Sequence, residues 1–250
     1  MVNKIIQENV IGTYSNKDTL KYYEKVGLWI SEKILFKKYF KKRNVKFLDM
    51  GCGGGRTTIP LVKMGFNVFA FDITPAMVKL TKKNLEKSGL KAKVEIGDAI
   101  NIRYNSNSFD YILFSFNGIE AIPGRNNRLK TLQEIYRVLK PKGIFIFTTN
   151  TQKYFKGRRK LFFLKEALKY YFSKLFRLNN KYSRINDFEY GDCFLNFKPA
   201  MFMHFSKPER VKKDLEKIGF NLIFSEFRDI IEKRKTPNLR KDYFYVCEKK

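Results

Sequence analysis

The sequence contains little histidine, cysteine or acid. Its 250 residues include one histidine, three cysteines and 24 acidic residues. The single histidine, His204, disfavours a metal site built on paired imidazoles. Cys52, Cys193 and Cys247 are far apart and form no Cys-x-x-Cys pair, which disfavours a disulfide framework or a zinc cage. We therefore expect no metal centre.

Long hydrophobic runs are also missing. No apolar run approaches the ~18 residues of a membrane span, and residues 1–16 lack the apolar region of a secretion signal. A hydrophobic content of 44%, with 25 Phe and 14 Tyr, disfavours intrinsic disorder. The length suits one domain. We expect a single domain over residues 1–250, located in the cytoplasm.

Acidic residues are outnumbered by 51 Lys and Arg, which gives a formal net charge of +27. Such a charge attracts polyanions, so nucleic acid, an anionic membrane surface or a charged substrate are candidate partners. However, the excess is mainly lysine, whereas specific phosphate recognition favours arginine forks. Biased codon usage would give the same composition, and both explanations stay open.

Hydrophobic periodicity divides the chain into segments. Residues 1–43 form an N-terminal helical segment, with the clearest helical spacing over 19–43. From residue 45, short apolar runs alternate with helical patterns, which predicts βαβ units and a parallel sheet covered on both faces. Predicted strands are 46–50, 68–71, 93–96, 111–116 and 143–148, and predicted helices are 58–63, 75–87 and 127–139. Residues 140–143 predict a turn. After residue 205 the pattern predicts a helix at 208–218 and strands at 219–223 and 243–247.

Residues 151–205 differ in composition and interrupt this alternation. They contain 15 aromatic residues, and positions 156–184 carry ten Lys or Arg and one acid. One helical face holds five apolar side chains, with lysines elsewhere, which predicts an amphipathic basic helix: Leu161, Leu164, Leu168, Phe172 and Leu175. This face could pack on the body of the protein, belong to a substrate lid, or meet a membrane. We favour the lid.

The strongest signal lies between Val45 and Arg56, where an apolar strand ends in Asp49 and is followed by four glycines within five residues. Glycines permit positive φ and a close approach of the backbone to a ligand, and the following helix start favours an anionic group. Arg56 occupies the sixth position counted from Gly51, where a dinucleotide fingerprint requires glycine. The turn also lacks the lysine of a phosphate-binding P-loop.

An acid two residues before a Gly-x-Gly-x-Gly turn resembles the first motif of class I S-adenosylmethionine-dependent methyltransferases. Asp72, at the end of the second predicted strand, resembles the acid that accepts the two ribose hydroxyls in this family. Asp98 follows the third predicted strand, where the family places an acid near adenine. Residues 109–115 and 139–143 resemble its fourth-strand motif and the turn before its fifth strand. The matches run in order from residue 45 to 149.

This resemblance implies an α/β, Rossmann-like, doubly wound fold. Its sheet would have seven strands, mostly parallel with an antiparallel last strand, preceded by the N-terminal helical segment (1–43). The cofactor-binding core would be 45–150, followed by the insertion (151–205) and the C-terminal part of the sheet (206–250). The cofactor would be S-adenosyl-L-methionine, giving S-adenosyl-L-homocysteine as product. The implied cofactor-binding residues are Asp49, Gly51, Cys52, Gly53, Gly55, Asp72, Ile73, Asp98, Ala99 and Ser115.

The acceptor is less constrained. The fourth-strand region lacks the [DNS]-P-P-[YF] motif of exocyclic-amine methyltransferases that act on nucleic acid, so a small-molecule acceptor is favoured. His204 or Glu120 is the candidate base if the acceptor must lose a proton; a packed histidine and a solvated loop acid are the structural alternatives. Two further hypotheses stay open: an RNA methyltransferase that binds through the basic insertion, and a non-catalytic module that binds S-adenosylmethionine.

Overall fold

The computed structural model describes residues 2–152, 157–185, 187–196, 200–234 and 242–250. The N-terminal segment consists of helices α1 (Val2–Tyr14), α2 (Lys17–Lys25) and α3 (Ile30–Tyr39). Asn16 caps α2, because its side-chain oxygen accepts a hydrogen bond from the Asp18 amide at 2.9 Å. The N-terminal segment is therefore helical, as predicted.

The core alternates strands and helices as the sequence predicts. Its elements are β1 (Lys46–Met50), α4 (Thr58–Lys63), β2 (Asn67–Asp72), α5 (Pro75–Lys87), β3 (Lys93–Ile96), β4 (Phe109–Phe114), the 3₁₀ turn Gly118–Ala121, α6 (Arg125–Val138) and β5 (Leu139–Asn150). Strand β4 ends two residues earlier than predicted, because Phe116 and Asn117 have φ values of 56° and 60°, which no strand accommodates.

Strand β5 begins earlier than predicted, and the turn at residues 140–143 lies inside it. Leu139 pairs with Phe109, and the next pair along the ladder is Ile144 with Tyr111. Lys142 adopts a left-handed conformation with φ of 59°. The turn is therefore an irregularity in the β4–β5 pairing rather than a break before the strand.

The main sheet has the strand order β3-β2-β1-β4-β5-β9-β8. It is completed by α8 (Pro208–Ile218), β8 (Phe220–Phe227), α9 (Arg228–Ile231) and β9 (Asp242–Lys249). The pairs from β3 to β5 are parallel, and β9 is antiparallel to both neighbours. The predicted seven-stranded sheet with an antiparallel last strand is confirmed. Parallel strands bring the carboxyl ends of β1, β2 and β4 to one edge.

Apolar side chains cover both faces of this sheet. Phe47 on β1 belongs to one buried cluster and Leu48, the next residue, to the other. Ile146 and Phe147 on β5 divide in the same way. Because successive side chains of a strand point to opposite faces, this division places one core on each side of the sheet.

The insertion after β5 contains helix α7 (Arg158–Leu175) and a hairpin of β6 (Cys193–Leu195) and β7 (Met201–Met203). The hairpin was not predicted. Tyr170 of α7 stacks on Phe188 with ring centroids 4.6 Å apart, and it shares a buried cluster with Val10 of α1. The insertion therefore packs against the N-terminal helices.

The predicted apolar face of α7 does not pack on the body of the protein. Its five residues are all exposed, whereas Phe163, Ala167 and Tyr170, on another side of the helix, are buried. The interpretation of this face as a packing surface is therefore wrong. Within the described residues, no helix is long and apolar enough to cross a membrane.

Candidate active site

The glycine turn after β1 has the backbone conformation that the sequence predicts. Gly51 and Gly53 have φ values of 61° and 55°. A Cβ at Gly51 would lie 3.0 Å from the Phe114 ring, and one at Gly53 would lie 3.1 Å from the Tyr23 ring. Side chains are therefore disfavoured both by the positive φ and by the tight contacts. The turn presents bare backbone at the carboxyl edge of the sheet.

Asp72 joins this turn to the end of β2. Its carboxylate accepts hydrogen bonds from the backbone amides of Gly53 at 2.9 Å and Thr74 at 2.8 Å. The second bond shows that Asp72 also organises the start of α5. Burial raises the pKa of Asp72. A carboxylate has about four lone-pair sites, so these two bonds leave acceptor positions for a further pair of hydroxyls.

The glycine turn and Asp72 line one cavity, which we call the glycine-turn cavity. Its empty space amounts to about 840 Å³, a volume that includes space open to solvent. Seven of the ten predicted cofactor-binding residues line it: Gly51, Cys52, Gly53, Asp72, Ile73, Ala99 and Ser115. The tertiary structure thus gathers residues from the ends of several strands at one site.

Asp49, Gly55 and Asp98 do not line this cavity. Asp49 accepts hydrogen bonds from the Thr57 and Thr58 hydroxyls, which ties β1 to the start of α4. Burial raises the pKa of Asp49 to about 6, against the opposing effect of these hydroxyls. A cofactor role for Asp49 and Gly55 stays a prediction.

Asp98 lies in an adjoining cavity that shares Val10 and Ala121 with the glycine-turn cavity. Its carboxylate accepts a hydrogen bond from Gln7 Nε2 of α1 at 3.0 Å and one from the Ile100 amide. Helix α1 therefore reaches the predicted adenine end of the site. The role of Asp98 toward adenine also stays a prediction.

Two tyrosines at the site were missed by the sequence analysis. Tyr14 of α1 and Tyr23 of α2 line the glycine-turn cavity and meet edge-to-face with ring centroids 5.9 Å apart. Burial raises the pKa of Tyr14 to about 12 and that of Tyr23 well above its usual value, so both phenols stay neutral at physiological pH. Tyr23 was part of the helical pattern, but periodicity gives no indication of which element a face meets.

Arg56 forms a buried ion pair that the sequence did not indicate. Its guanidinium binds both carboxylate oxygens of Glu32 on α3 at 2.6 Å. The Ser115 hydroxyl donates to the same carboxylate and accepts from Arg56 at 2.9 Å. The guanidinium also lies 4.7 Å from the centre of the Phe116 ring. Arg56, which occupies the position where a dinucleotide-binding fold needs glycine, thus anchors α3 to the glycine turn.

The candidate bases His204 and Glu120 lie beside each other. The His204 amide donates to the Glu120 carbonyl oxygen at 2.8 Å, and His204 Nδ1 lies 2.7 Å from Asp192 Oδ1. Glu120 Oε1 accepts from the Ser206 hydroxyl, while Oε2 has no hydrogen-bond partner in the described part of the chain. Burial lowers the pKa of His204 and raises that of Glu120 well above its usual value.

These two residues line a second cavity rather than the glycine-turn cavity. The 3₁₀ turn lies between the two: Gly118 and Ala121 line the first, whereas Ile119 and Glu120 line the second. The solvated-loop alternative for Glu120 is wrong, because the side chain is fully buried. A catalytic role for either residue stays a prediction.

Comparison with known proteins agrees with this geometry. Residues 47–143 match the family described as methyltransferase domain. A demethylmenaquinone methyltransferase of Lactobacillus johnsonii is 38% identical over 116 residues, which are 43% of this chain and 46% of that protein. A ubiquinone/menaquinone biosynthesis C-methyltransferase of Rickettsia felis is 32% identical over 173 residues, covering 65% and 66% of the two chains. The matches therefore span about half to two thirds of these relatives.

Solved structures give the same fold. An S-adenosylmethionine-dependent methyltransferase from Methanosarcina mazei superimposes with a TM-score of 0.70 at 17% identity, covering 90% of this chain and 99% of that one. Residues 47–143 therefore match a methyltransferase domain, and the chain has the fold of an S-adenosylmethionine-dependent methyltransferase. The predicted family is confirmed, and the RNA-directed and non-catalytic alternatives are not favoured.

Proposed function

We propose that the chain transfers the methyl group of S-adenosylmethionine to a small-molecule acceptor. The observation that carries the proposal is the glycine-turn cavity, in which bare backbone and a buried carboxylate at the ends of neighbouring strands line one space. Such sites at the carboxyl edge of an open α/β sheet are where this architecture binds ligands.

The residues present fit this cofactor. The unused acceptor positions of Asp72 suit the two ribose hydroxyls. A Cβ at Gly51 would lie 3.0 Å from the Phe114 ring on a backbone with positive φ, so this part of the cradle favours glycine. Ile73 and Ala99 would contact adenine, and the turn at Gly51–Gly53 would hold the methionine end. The bound cofactor supplies a methyl group activated by a positively charged sulfur.

The protein contributes position and the exclusion of water. Helix α1 covers one side of the cavity through Val10 and Tyr14, and the insertion packs behind α1 through the cluster that includes Val10. Holding acceptor and methyl group in line can supply roughly 7–11 kcal/mol of the barrier reduction. This arrangement supports the hypothesis that the insertion acts as a lid.

We infer that the acceptor is apolar and bears a ring. The glycine-turn cavity is lined by Tyr14, Tyr23, Phe114 and Phe116, which suits an aromatic or quinone-like ring more than a charged polymer. The two reported relatives are named for demethylmenaquinone methylation and for ubiquinone/menaquinone biosynthesis, which supports the same class. A cytoplasmic location and a single domain stay predictions, and binding of nucleic acid by the basic surface stays a hypothesis.

The test is isothermal titration of S-adenosylhomocysteine into wild type and Asp72→Ala. Hydrogen bonds to a charged group contribute about 1.5–3 kcal/mol each, so losing two should weaken binding by on the order of 100-fold or more. Asp110→Ala is the matched control, because Asp110 is an acid near the start of β4, at the opposite edge of the sheet, where it pairs with Lys140 at 2.8 Å. Equal affinity of wild type and Asp72→Ala would remove Asp72 from the ribose site.

A further inference from the structure

Helix α7 has an apolar side that the rest of the described chain leaves exposed. Of the sixteen large hydrophobic side chains exposed among the described residues, nine lie between positions 161 and 178. Six follow one side of the helix at helical spacing, and we call them the α7 face: Leu161, Leu164, Leu168, Tyr171, Phe172 and Leu175. Contiguous exposed patches of this kind mark interaction sites.

Positive charge borders the α7 face. Lys160, Lys165 and Lys174 are exposed, and so is Lys169. The one acid in the α7 sequence, Glu166, is buried and accepts hydrogen bonds from Lys169 Nζ and the Tyr182 hydroxyl. The side of α7 that faces solvent is therefore apolar and cationic, with no carboxylate of the helix on it.

We infer that the α7 face docks the chain peripherally on an anionic lipid bilayer. Apolar side chains flanked by lysine are what a helix lying in the membrane interface requires: the apolar side enters the acyl boundary and the cations meet anionic headgroups. A second copy of the chain is a poor occupant, because the same lysines would face each other across the contact. RNA phosphates would attract the lysines but would leave the apolar residues without a partner.

The helix is held firmly in the orientation that this docking needs. Phe163 and Tyr170 on its opposite side are buried, and Tyr170 stacks on Phe188. That side packs toward α1, whose Val10 lines the glycine-turn cavity. A bilayer on the α7 face would therefore lie on the side of the insertion that faces away from α1. The inference goes beyond the proposed methyl transfer and does not depend on it.

The experiment is co-sedimentation of the full chain with phosphatidylcholine vesicles that contain or lack phosphatidylglycerol. We expect binding to the anionic vesicles, weak binding to phosphatidylcholine alone, and a decrease with salt. Phe172→Glu should reduce the partition coefficient at least about tenfold, because it removes a membrane-buried ring and adds repulsion. Lys165→Gln should reduce it about fivefold.

Ile230→Glu is the matched control, because Ile230 and Phe172 are both 56% exposed and Ile230 lies on α9. It should bind vesicles as wild type does. Absence of wild-type binding to anionic vesicles, or equal losses in Phe172→Glu and Ile230→Glu, would overturn the inference. The inference would also be overturned if the protein did not bind vesicles but bound RNA in a salt-dependent way, and if Phe172→Glu kept that RNA binding. Both glutamate variants should keep wild-type affinity for S-adenosylhomocysteine, which separates this test from that of the proposed function.

Discussion

Replacing Glu32 with leucine should strongly destabilise the protein. Glu32 and Arg56 form a two-pronged ion pair at 2.6 Å, and their side chains are 0% and 4% exposed. Removing one partner of a buried pair leaves an uncompensated charge and costs about 3–5 kcal/mol. In a protein of this size each kcal/mol lowers Tm by about 2–4 °C. We therefore expect Glu32→Leu to lower Tm by about 6–20 °C.

A double-mutant cycle tests the cause. An apolar pair of similar volume is often as stable as a buried ion pair, so Glu32→Leu combined with Arg56→Met should recover part of the loss. Recovery will be incomplete, because Glu32 also accepts hydrogen bonds from the Trp29 amide and the Ser115 hydroxyl. We expect a coupling energy of about 2–3 kcal/mol, measured by urea denaturation.

The exposed pair between Lys83 and Glu24 provides the control. Its charged atoms are 3.9 Å apart and its side chains are 58% and 36% exposed. Exposed pairs contribute about 0–1 kcal/mol, so Glu24→Gln should leave the unfolding midpoint nearly unchanged. If Glu32→Leu costs no more than Glu24→Gln, or if the two core substitutions are additive, then the buried pair does not hold α3 to the glycine turn.

Three further outcomes follow from the site. Gly53→Ala should abolish S-adenosylhomocysteine binding measured by calorimetry, because the added Cβ meets the Tyr23 ring of α2. Gly89→Ala is the control: Gly89 has a similar φ of 65° and nothing within 4 Å, so this variant should lose only stability. Equal loss of binding in the two variants would contradict the prediction. The pKa of Asp49, raised by burial to about 6, means that the folded state binds its proton more tightly than the unfolded state. Its contribution to stability should therefore fall as pH rises from about 4 to 6, by on the order of 3 kcal/mol, and urea titrations of Asp49→Asn should lack this component. Burial raises the pKa of Glu120 well above its usual value, so Glu120→Gln should leave the free energy of unfolding at pH 7 within about 1 kcal/mol of the wild-type value. Asp192→Asn removes the charge that faces the buried Arg128 and should lower the free energy of unfolding by more. The reverse order in urea denaturation would refute the raised pKa of Glu120.

Much of the fold could be predicted because its signals are local. Alternation of apolar runs, the glycine turn and the acid that ends β2 are short patterns, and the backbone conformation that they require was found at Gly51 and Gly53. The carboxyl ends of parallel strands meet at one edge whatever the side chains are. The position of the cavity therefore followed from the order of the motifs.

Other parts of the site depended on contacts between distant segments. The sequence contained Tyr14, Tyr23 and Glu32, but nothing local indicated that they would meet residues near 53 and 56. His204 and Glu120 were predicted near the reacting groups, and the structure assigns them to a second cavity. A residue's position shortly after the end of a strand does not determine which side of the following turn its side chain faces.

Helix α7 shows most clearly the difference between what the sequence determines and what tertiary packing decides. Its periodicity determined that five apolar residues share one face, since the spacing of a helix is fixed by its geometry. It did not determine whether that face is covered, because burial depends on what other segments place against it. Tertiary packing buried the neighbouring stripe through Phe163 and Tyr170 and left the predicted face exposed. The sequence alone thus determined the family and the glycine turn, whereas only the folded chain decided which surfaces remain available to partners.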